Sequence, residues 1–232
     1  MIDKSVVLFA YNAPHKKTQD FIFRILSEGY KIKCIIAADL IKLAIPPSSV
    51  RTKLSHGALL HPSIIARNLG IKYIVSSHDN IQLIRSEIED AKVAVIGGAR
   101  ILNADVINLF PNGIINFHPG IIPNARGLDA LLWSILNLQP LGVTAHLVDR
   151  RIDAGKILKI MKISVSKDDT IFDISERLYE LQLDMIKEAI ELSYKNTFYT
   201  LDDYGGYNKK MPPDLEAKAI NSVEKYKELY AL

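Results

Sequence analysis

The sequence predicts an α/β fold: a Rossmann-like, mostly parallel twisted sheet with helices on both faces and a late antiparallel hairpin. Three observations predict it. Short runs that are almost wholly apolar, as strands covered on both faces must be, recur through the first half of the chain. Segments with apolar residues at helical spacing separate them, the alternation expected of parallel strands joined by crossover helices. Two further apolar runs, Gly142 to Val148 and Lys156 to Ile163, are joined only by a turn-like Asp153-Ala154-Gly155, which predicts a hairpin.

Taken in order, Ser5 to Ala10 is the first strand, and Thr18 to Ser27 carries a stripe of Phe21, Ile22, Ile25 and Leu26 closed by Gly29. Lys33 to Ala38 is a second strand. Pro46 to Gly57 breaks the pattern; its length suggests a functional loop that closes over a ligand. Pro62 suits the first position of a helix reaching Leu69, with Gly70 beyond it. Lys72 to Val75 and Lys92 to Ile96 are strands flanking a helix over Asn80 to Glu89. A short helix near Ala104 to Phe110, a strand over Gly113 to His118 and a helix over Leu128 to Asn137 follow. Thr170 and Asp173 stand at capping-box spacing, opening a helix that runs to about Tyr194. The remainder is polar and ends in a weak helix, Leu215 to Tyr230. The expected organisation is a main domain over 1–195 and an extension, 196–232, packed on or beside it.

Composition narrows the function. The 232 residues are 48% hydrophobic and carry a net charge of +3, with the basic residues scattered. Pairs such as Lys16-Lys17 and Lys209-Lys210 read as isolated and loop-borne, so the clustered positive stripe that nucleic acid demands is not expected. One cysteine, Cys34, can form neither an internal disulfide nor a zinc site alone, and its apolar neighbours suggest a buried thiol. No run approaches the ~20 apolar residues of a membrane span, and Met1-Ile2-Asp3-Lys4 does not open a secretory leader. A cytoplasmic protein without membrane partners is expected. Gly97-Gly98 follows a strand but lacks the G-x-G-x-x-G of dinucleotide binding, which argues against a nicotinamide enzyme.

Chemistry concentrates after the strand ending at His118. Asn116 and His118, two apart, project from one face of that strand, and Pro119-Gly120 ends it stiffly. Taken alone, Asn116 and His118 read more readily as local hydrogen-bonding residues, and Asp153 as part of a turn. Their order and surroundings resemble the folate-dependent formyltransferases: Asn116, His118, Pro119, Gly120, Pro123, Arg126, Gly127, Trp133, Gly142, Thr144, His146, Asp153, Gly155 and Ile157 all fall in that family's sequence. The matching stretch covers about 93–163.

The resemblance implies transfer of a formyl group from 10-formyltetrahydrofolate to a primary amine, with no metal. It implies that Asn116 donates to the oxyanion of a tetrahedral intermediate, that His118 moves a proton near neutral pH, and that Asp153 holds the imidazole and helps pass that proton on. It assigns Gly98, Arg100, Ile101, Leu102, Val148 and Asp149 to the folate, and Asn12, Asp79, Asn80, Gly120 and Tyr207 to the acceptor. Thr144 and His146 share a strand face and are expected to be structural. Arg126 either neutralises an anionic ligand or pins its loop.

For the acceptor, the turn Ala10-Tyr11-Asn12-Ala13-Pro14-His15 lacks the glycines of the purine enzyme's phosphate loop, and little chain remains for a tRNA-binding domain. Arg126-Gly127 with Trp133, the loop Ser77-His78-Asp79-Asn80 and the tail Tyr207 to Pro212 look more like the sugar N-formyltransferases of lipopolysaccharide and O-antigen biosynthesis. A nucleotide-linked amino sugar is therefore the expected partner. Phosphoribosylglycinamide is the alternative acceptor, and a formyl-folate-binding protein without turnover or a formate-releasing hydrolase are the alternatives of other classes. The apolar hairpin and tail are compatible with a homodimer.

Overall fold

The computed structural model describes residues 5–41, 50, 58–150, 153 and 155–231. Seven strands form one sheet in the order β3-β2-β1-β4-β5-β6-β7: β1 Ser5–Tyr11, β2 Lys31–Ala38, β3 Lys72–Val75, β4 Ala94–Ile96, β5 Ile114–His118, β6 Gly142–Leu147 and β7 Ile157–Lys162. The first five pair in parallel, whereas β6 runs antiparallel to β5 and β7 antiparallel to β6. The predicted Rossmann-like sheet and late hairpin are both present.

The apolar strands divide between two cores because side chains alternate across a strand. Val6, Leu8 and Ala10 of β1 enter the larger core, while Val7 and Phe9 enter the smaller. Helices α1 (Lys16–Ser27), α2 (Pro62–Leu69), α5 (Ala130–Leu136), α6 (Ile171–Asp184) and α7 (Ile186–Tyr194) contribute to the larger core. Helices α3 (Ile81–Ile88) and α4 (Ala104–Ile107) cover the other face, where Cys34 is buried. Local signals placed the helix ends well: Gly70 closes α2 in the left-handed region, Asn80 caps α3, and Thr170 with Asp173 forms the expected capping box.

Several expectations change. Lys16 and Lys17 lie in the first turn of α1 rather than on a loop, because His15 caps the helix and it opens at Lys16, two residues before Thr18. The helix expected to reach Tyr194 is interrupted at Met185. Hydrogen bonds from Met185 N–H to the Leu181 carbonyl and from Ala189 N–H to the Met185 carbonyl still span the interruption. The weak C-terminal helix is two, α8 (Pro213–Asn221) and α9 (Val223–Tyr230), joined at Ser222. It is anchored: Tyr226 is fully buried, and the hydroxyls of Tyr226 and Tyr230 donate to the carbonyls of Gln139 and Leu138 after α5. The Pro46 to Gly57 loop lies outside the described residues apart from Val50. No helix among the described residues is long and apolar enough to cross a membrane.

Candidate active site

Register places the first groups. In β5–β6, Asn116 lies opposite His146 and His118 opposite Thr144, so four polar side chains share one sheet face. The Asn116 amide nitrogen donates to His146 Nε2 at 3.2 Å, and His146 Nδ1 lies 3.4 Å from the Leu147 carbonyl. Since an amide nitrogen and a carbonyl have fixed roles, His146 carries its proton on Nδ1 in this arrangement. It thereby orients the carboxamide, whose second N–H is left for a ligand.

His118 is held by a group that its sequence neighbourhood does not advertise. Its Nε2 donates to the Ala125 carbonyl at 2.6 Å, leaving Nδ1 as the proton-accepting nitrogen. Thr144 fixes the intervening loop, donating to the Gly120 carbonyl at 2.7 Å and accepting from Ile122 N–H at 3.1 Å. Gly120 is required by space: a Cβ there would lie 2.4 Å from the Ala125 carbonyl oxygen and 2.8 Å from His118 Nε2.

Asp153 arrives from the β6–β7 connection, which runs from Val148 to Lys156 and is longer than the tight turn expected. Its carboxylate stands between two imidazoles, 3.6 Å from His118 Nδ1 and 3.7 Å from His146 Nε2. These are ion-pair distances rather than hydrogen bonds, so the Ala125 carbonyl, not Asp153, fixes the His118 ring. Asp153 itself adopts a left-handed backbone (φ 47°), a conformation that aspartate tolerates better than most residues.

Burial alone pushes the Asp153 carboxyl up, but His146, His118 and the Gly127 N–H outweigh it and hold the group below its ordinary value. Burial lowers the His118 pKa, with Asp153 opposing the shift and Lys17 adding to it. The pair therefore combines a neutral imidazole with an ionised carboxylate at neutral pH.

These groups open on a cleft of about 520 Å³ whose walls come from β5, the segment 127–132 and α6. The C-terminal extension braces the wall formed by 127–132 from behind. Asn208 bridges to Gly127, the Trp133 indole donates to the Lys209 carbonyl, and Arg126 donates to the Gly205 carbonyl. Arg126 thus pins the loop to the extension. The Tyr207 ring lies 5.9 Å from the Arg126 guanidinium carbon; burial first, then Asp153, raises its hydroxyl pKa. Among the other tail aromatics, Tyr204 is buried and donates to the Gly155 carbonyl, so packing accounts for it.

Of the residues expected to hold folate, Asp149 lines a second cleft, of about 660 Å³, together with Ala104, Ile107, Asn108 and Arg150. Gly98 is buried against Tyr11 and His15, Leu102 is in the smaller core, and Val148 N–H bonds the Ile114 carbonyl. Arg100 and Ile101 are exposed, Ile101 to 77%. Of the acceptor candidates, Gly120 and Tyr207 join the three central residues. Asn12 bonds Asp39 and Tyr73 beside β1 instead. Asp79 and Asn80 follow β3, four strand spacings or roughly 19 Å across the sheet from Asn116. Asn80 is occupied capping α3 and Asp79 accepts from Ser77.

Sequence reasoning missed Lys17, Tyr179 and Gln182, which all line the central cleft. The only local signal was Lys17 on the inward side of a helix whose buried stripe includes Phe21.

The profile of the formyl transferase family matches residues 73–190, half of the chain. The chain belongs to the formyl transferase family. That match contains Asn116, His118 and Asp153 and stops short of the extension. Methionyl-tRNA formyltransferase of Borreliella burgdorferi (strain ZS7) is 29% identical over 146 residues, covering 62% of this chain and 46% of that protein. The chain spans about half the length of the curated relatives it matches. A sugar N-formyltransferase from Shewanella sp FDAARGOS_354 shares the fold with a TM-score of 0.61 at 19% identity, over 94% of this chain and 87% of that one. Phosphoribosylglycinamide formyltransferase from Anaplasma phagocytophilum does so with a TM-score of 0.60 at 19% identity, over 90% and 94%.

Proposed function

We propose that this chain transfers a formyl group from 10-formyltetrahydrofolate to the primary amine of a nucleotide-linked amino sugar, for surface polysaccharide made from cytoplasmic precursors. The observation that carries the reading is the meeting of a carboxamide, an imidazole and a carboxylate at one cleft in a member of the formyl transferase family. When bound, the folate supplies the formyl carbon. The cleft beside α4 is the place for it in this reading: Ile107 offers an apolar contact, Asp149 a polar edge and Arg150 a cation for an anionic tail, with the exposed Arg100 and Ile101 in the segment that leads into α4.

Within the chain, the free Asn116 N–H donates to the oxygen on which charge develops, and His118 Nδ1 takes a proton from the attacking amine. Asp153 stabilises the resulting imidazolium, which returns the proton to the departing folate nitrogen as that nitrogen's bond to the formyl carbon breaks. The sugar reading is supported by Tyr207 of the extension, whose partly exposed ring lies near Arg126 and within electrostatic reach of Asp153, and by the absence of glycine from the β1–α1 turn. In this reading 1–195 form the catalytic domain, and 196–232 complete its acceptor side.

The test is incubation with 10-formyltetrahydrofolate and, in parallel, thymidine-, uridine- and guanosine-diphosphate amino sugars, glycinamide ribonucleotide and methionyl-tRNA. Formylation of a nucleotide amino sugar is expected. Transfer only to the ribonucleotide or the tRNA would overturn the acceptor, formate release without acceptor would indicate a hydrolase, and binding without product would indicate a carrier. Replacing Asn116 with Ala should lower kcat by about 10²–10³, with the folate Kd little changed, because one oxyanion donor is lost.

A further inference from the structure

Lys17 points a cation at this site without serving any acid directly. From the first turn of α1 its Nζ donates to Gln182 Oε1 on α6 at 3.0 Å and to the Phe117 carbonyl at 3.4 Å. Phe117 lies between Asn116 and His118 on β5, so the ammonium sits one residue from both. Both of these acceptors are neutral, and neither neutralises the charge. The nearby acids are engaged elsewhere: Asp20 accepts from Lys16 and from the Tyr179 hydroxyl, and Asp129 across the cleft pairs with Lys210.

We infer that Lys17 is a positioning residue of the formyl-transfer site: its ammonium, held between Phe117 and Gln182, sets the charge around His118 and Asp153 so that the imidazole stays neutral and the carboxylate ionised. The inference rests on the proposed role of His118 as proton acceptor. Coulomb's law gives its sign, since a cation beside a pair that can share a proton disfavours protonating the imidazole. The titratable groups facing His118 besides Lys17 are Asp153, which opposes it, and the His146 imidazole.

Lys17 is itself responsive. The residue is half-buried, its ammonium end is enclosed, and burial brings its pKa down to about 8 against the pull of Asp153. The cation is thus present at neutral pH and lost above about 8. A lysine that only pinned α1 to α6 and β5 would not influence the titration of His118.

The test is an NMR titration of the histidine rings in the ligand-free protein, with the His118 signal assigned by its loss in His118→Asn. In the unaltered protein the His118 shift should show its main inflection below ~6.5 and a smaller one near the Lys17 midpoint. Lys17→Met should raise the main midpoint by about half a pH unit or more and remove the smaller inflection. Lys17→Arg should keep the low midpoint while removing the inflection near 8. The acid limb of kcat/KM should move with the midpoint in each variant.

An unmoved His118 midpoint in folded Lys17→Met would overturn the inference. If that variant does not fold, absence of the second inflection in the unaltered protein would do the same. The NMR readings need no substrate, so a failed formylation assay alongside them would count against the proposed reaction alone.

Discussion

Asp153→Asn is expected to lower kcat by about 10²–10⁴ while leaving folate affinity within a few-fold of the parent, because the change removes charge and keeps shape. The carboxylate lies 3.6 Å from the His118 nitrogen to which we assign the proton, and no described acid replaces it there. It also opposes the effect of burial on that imidazole. Without it, the His118 pKa falls further and the imidazolium formed during transfer has no counter-charge. Single-turnover rates with saturating acceptor, alongside folate binding measured by calorimetry, separate the two quantities. Equal turnover in the variant would remove Asp153 from the chemistry. A parallel loss of folate binding would relocate its role to the ligand.

The pH dependence has a definite sign. The Asp153 carboxyl is held below its ordinary value in the folded protein, so its ionised form stabilises the fold above the unfolded pKa. That contribution is lost as pH falls through the depressed folded value. His118, also depressed, stays neutral down to below ~6.5, so activity should persist on the mildly acidic side of neutrality.

The division between what was legible in the sequence and what was not follows the range of the interactions. Strands β1 to β5 declare themselves because apolar runs and caps are local properties, and the Thr170–Asp173 box is complete within four residues. Asn116 and His118 were placed on one face by strand geometry alone. Sequence spacing could not show that Asp153 lies between two imidazoles, because residues 148–156 depart from the far end of β6. Lys17 was missed for the same reason: its acceptors are 100 and 165 residues away. The extension read as polar and irregular, yet its hydrogen bonds to Gly127, Asp129 and Trp133 brace one wall of the cleft.

Gly155→Ala should be the most damaging single-methyl change in the site. A Cβ at this position would fall 1.6 Å from the Leu147 carbonyl oxygen and 2.8 Å from its carbon, and both belong to backbone that cannot rotate aside. The strand end is already committed there: Leu147 N–H donates to the Lys156 carbonyl, and the Tyr204 hydroxyl to the carbonyl of Gly155 itself. Relief therefore requires displacing the chain that carries Asp153, two residues earlier, and loosening the extension through Tyr204. A destabilisation of roughly 3–5 kcal/mol is expected, at the upper end of single substitutions. Because a shift of about 1 Å in a reacting group can cost about 10² in rate, turnover should fall even under conditions where the variant stays folded. Gly206→Ala is the control: a Cβ there meets nothing within 4 Å, so its effect should stay within about 0.5 kcal/mol. Thermal unfolding and kcat of the two variants, measured side by side, decide the matter. A Gly155→Ala protein with parental melting temperature and turnover would mean that the backbone beside Leu147 is not what holds Asp153 between its two imidazoles.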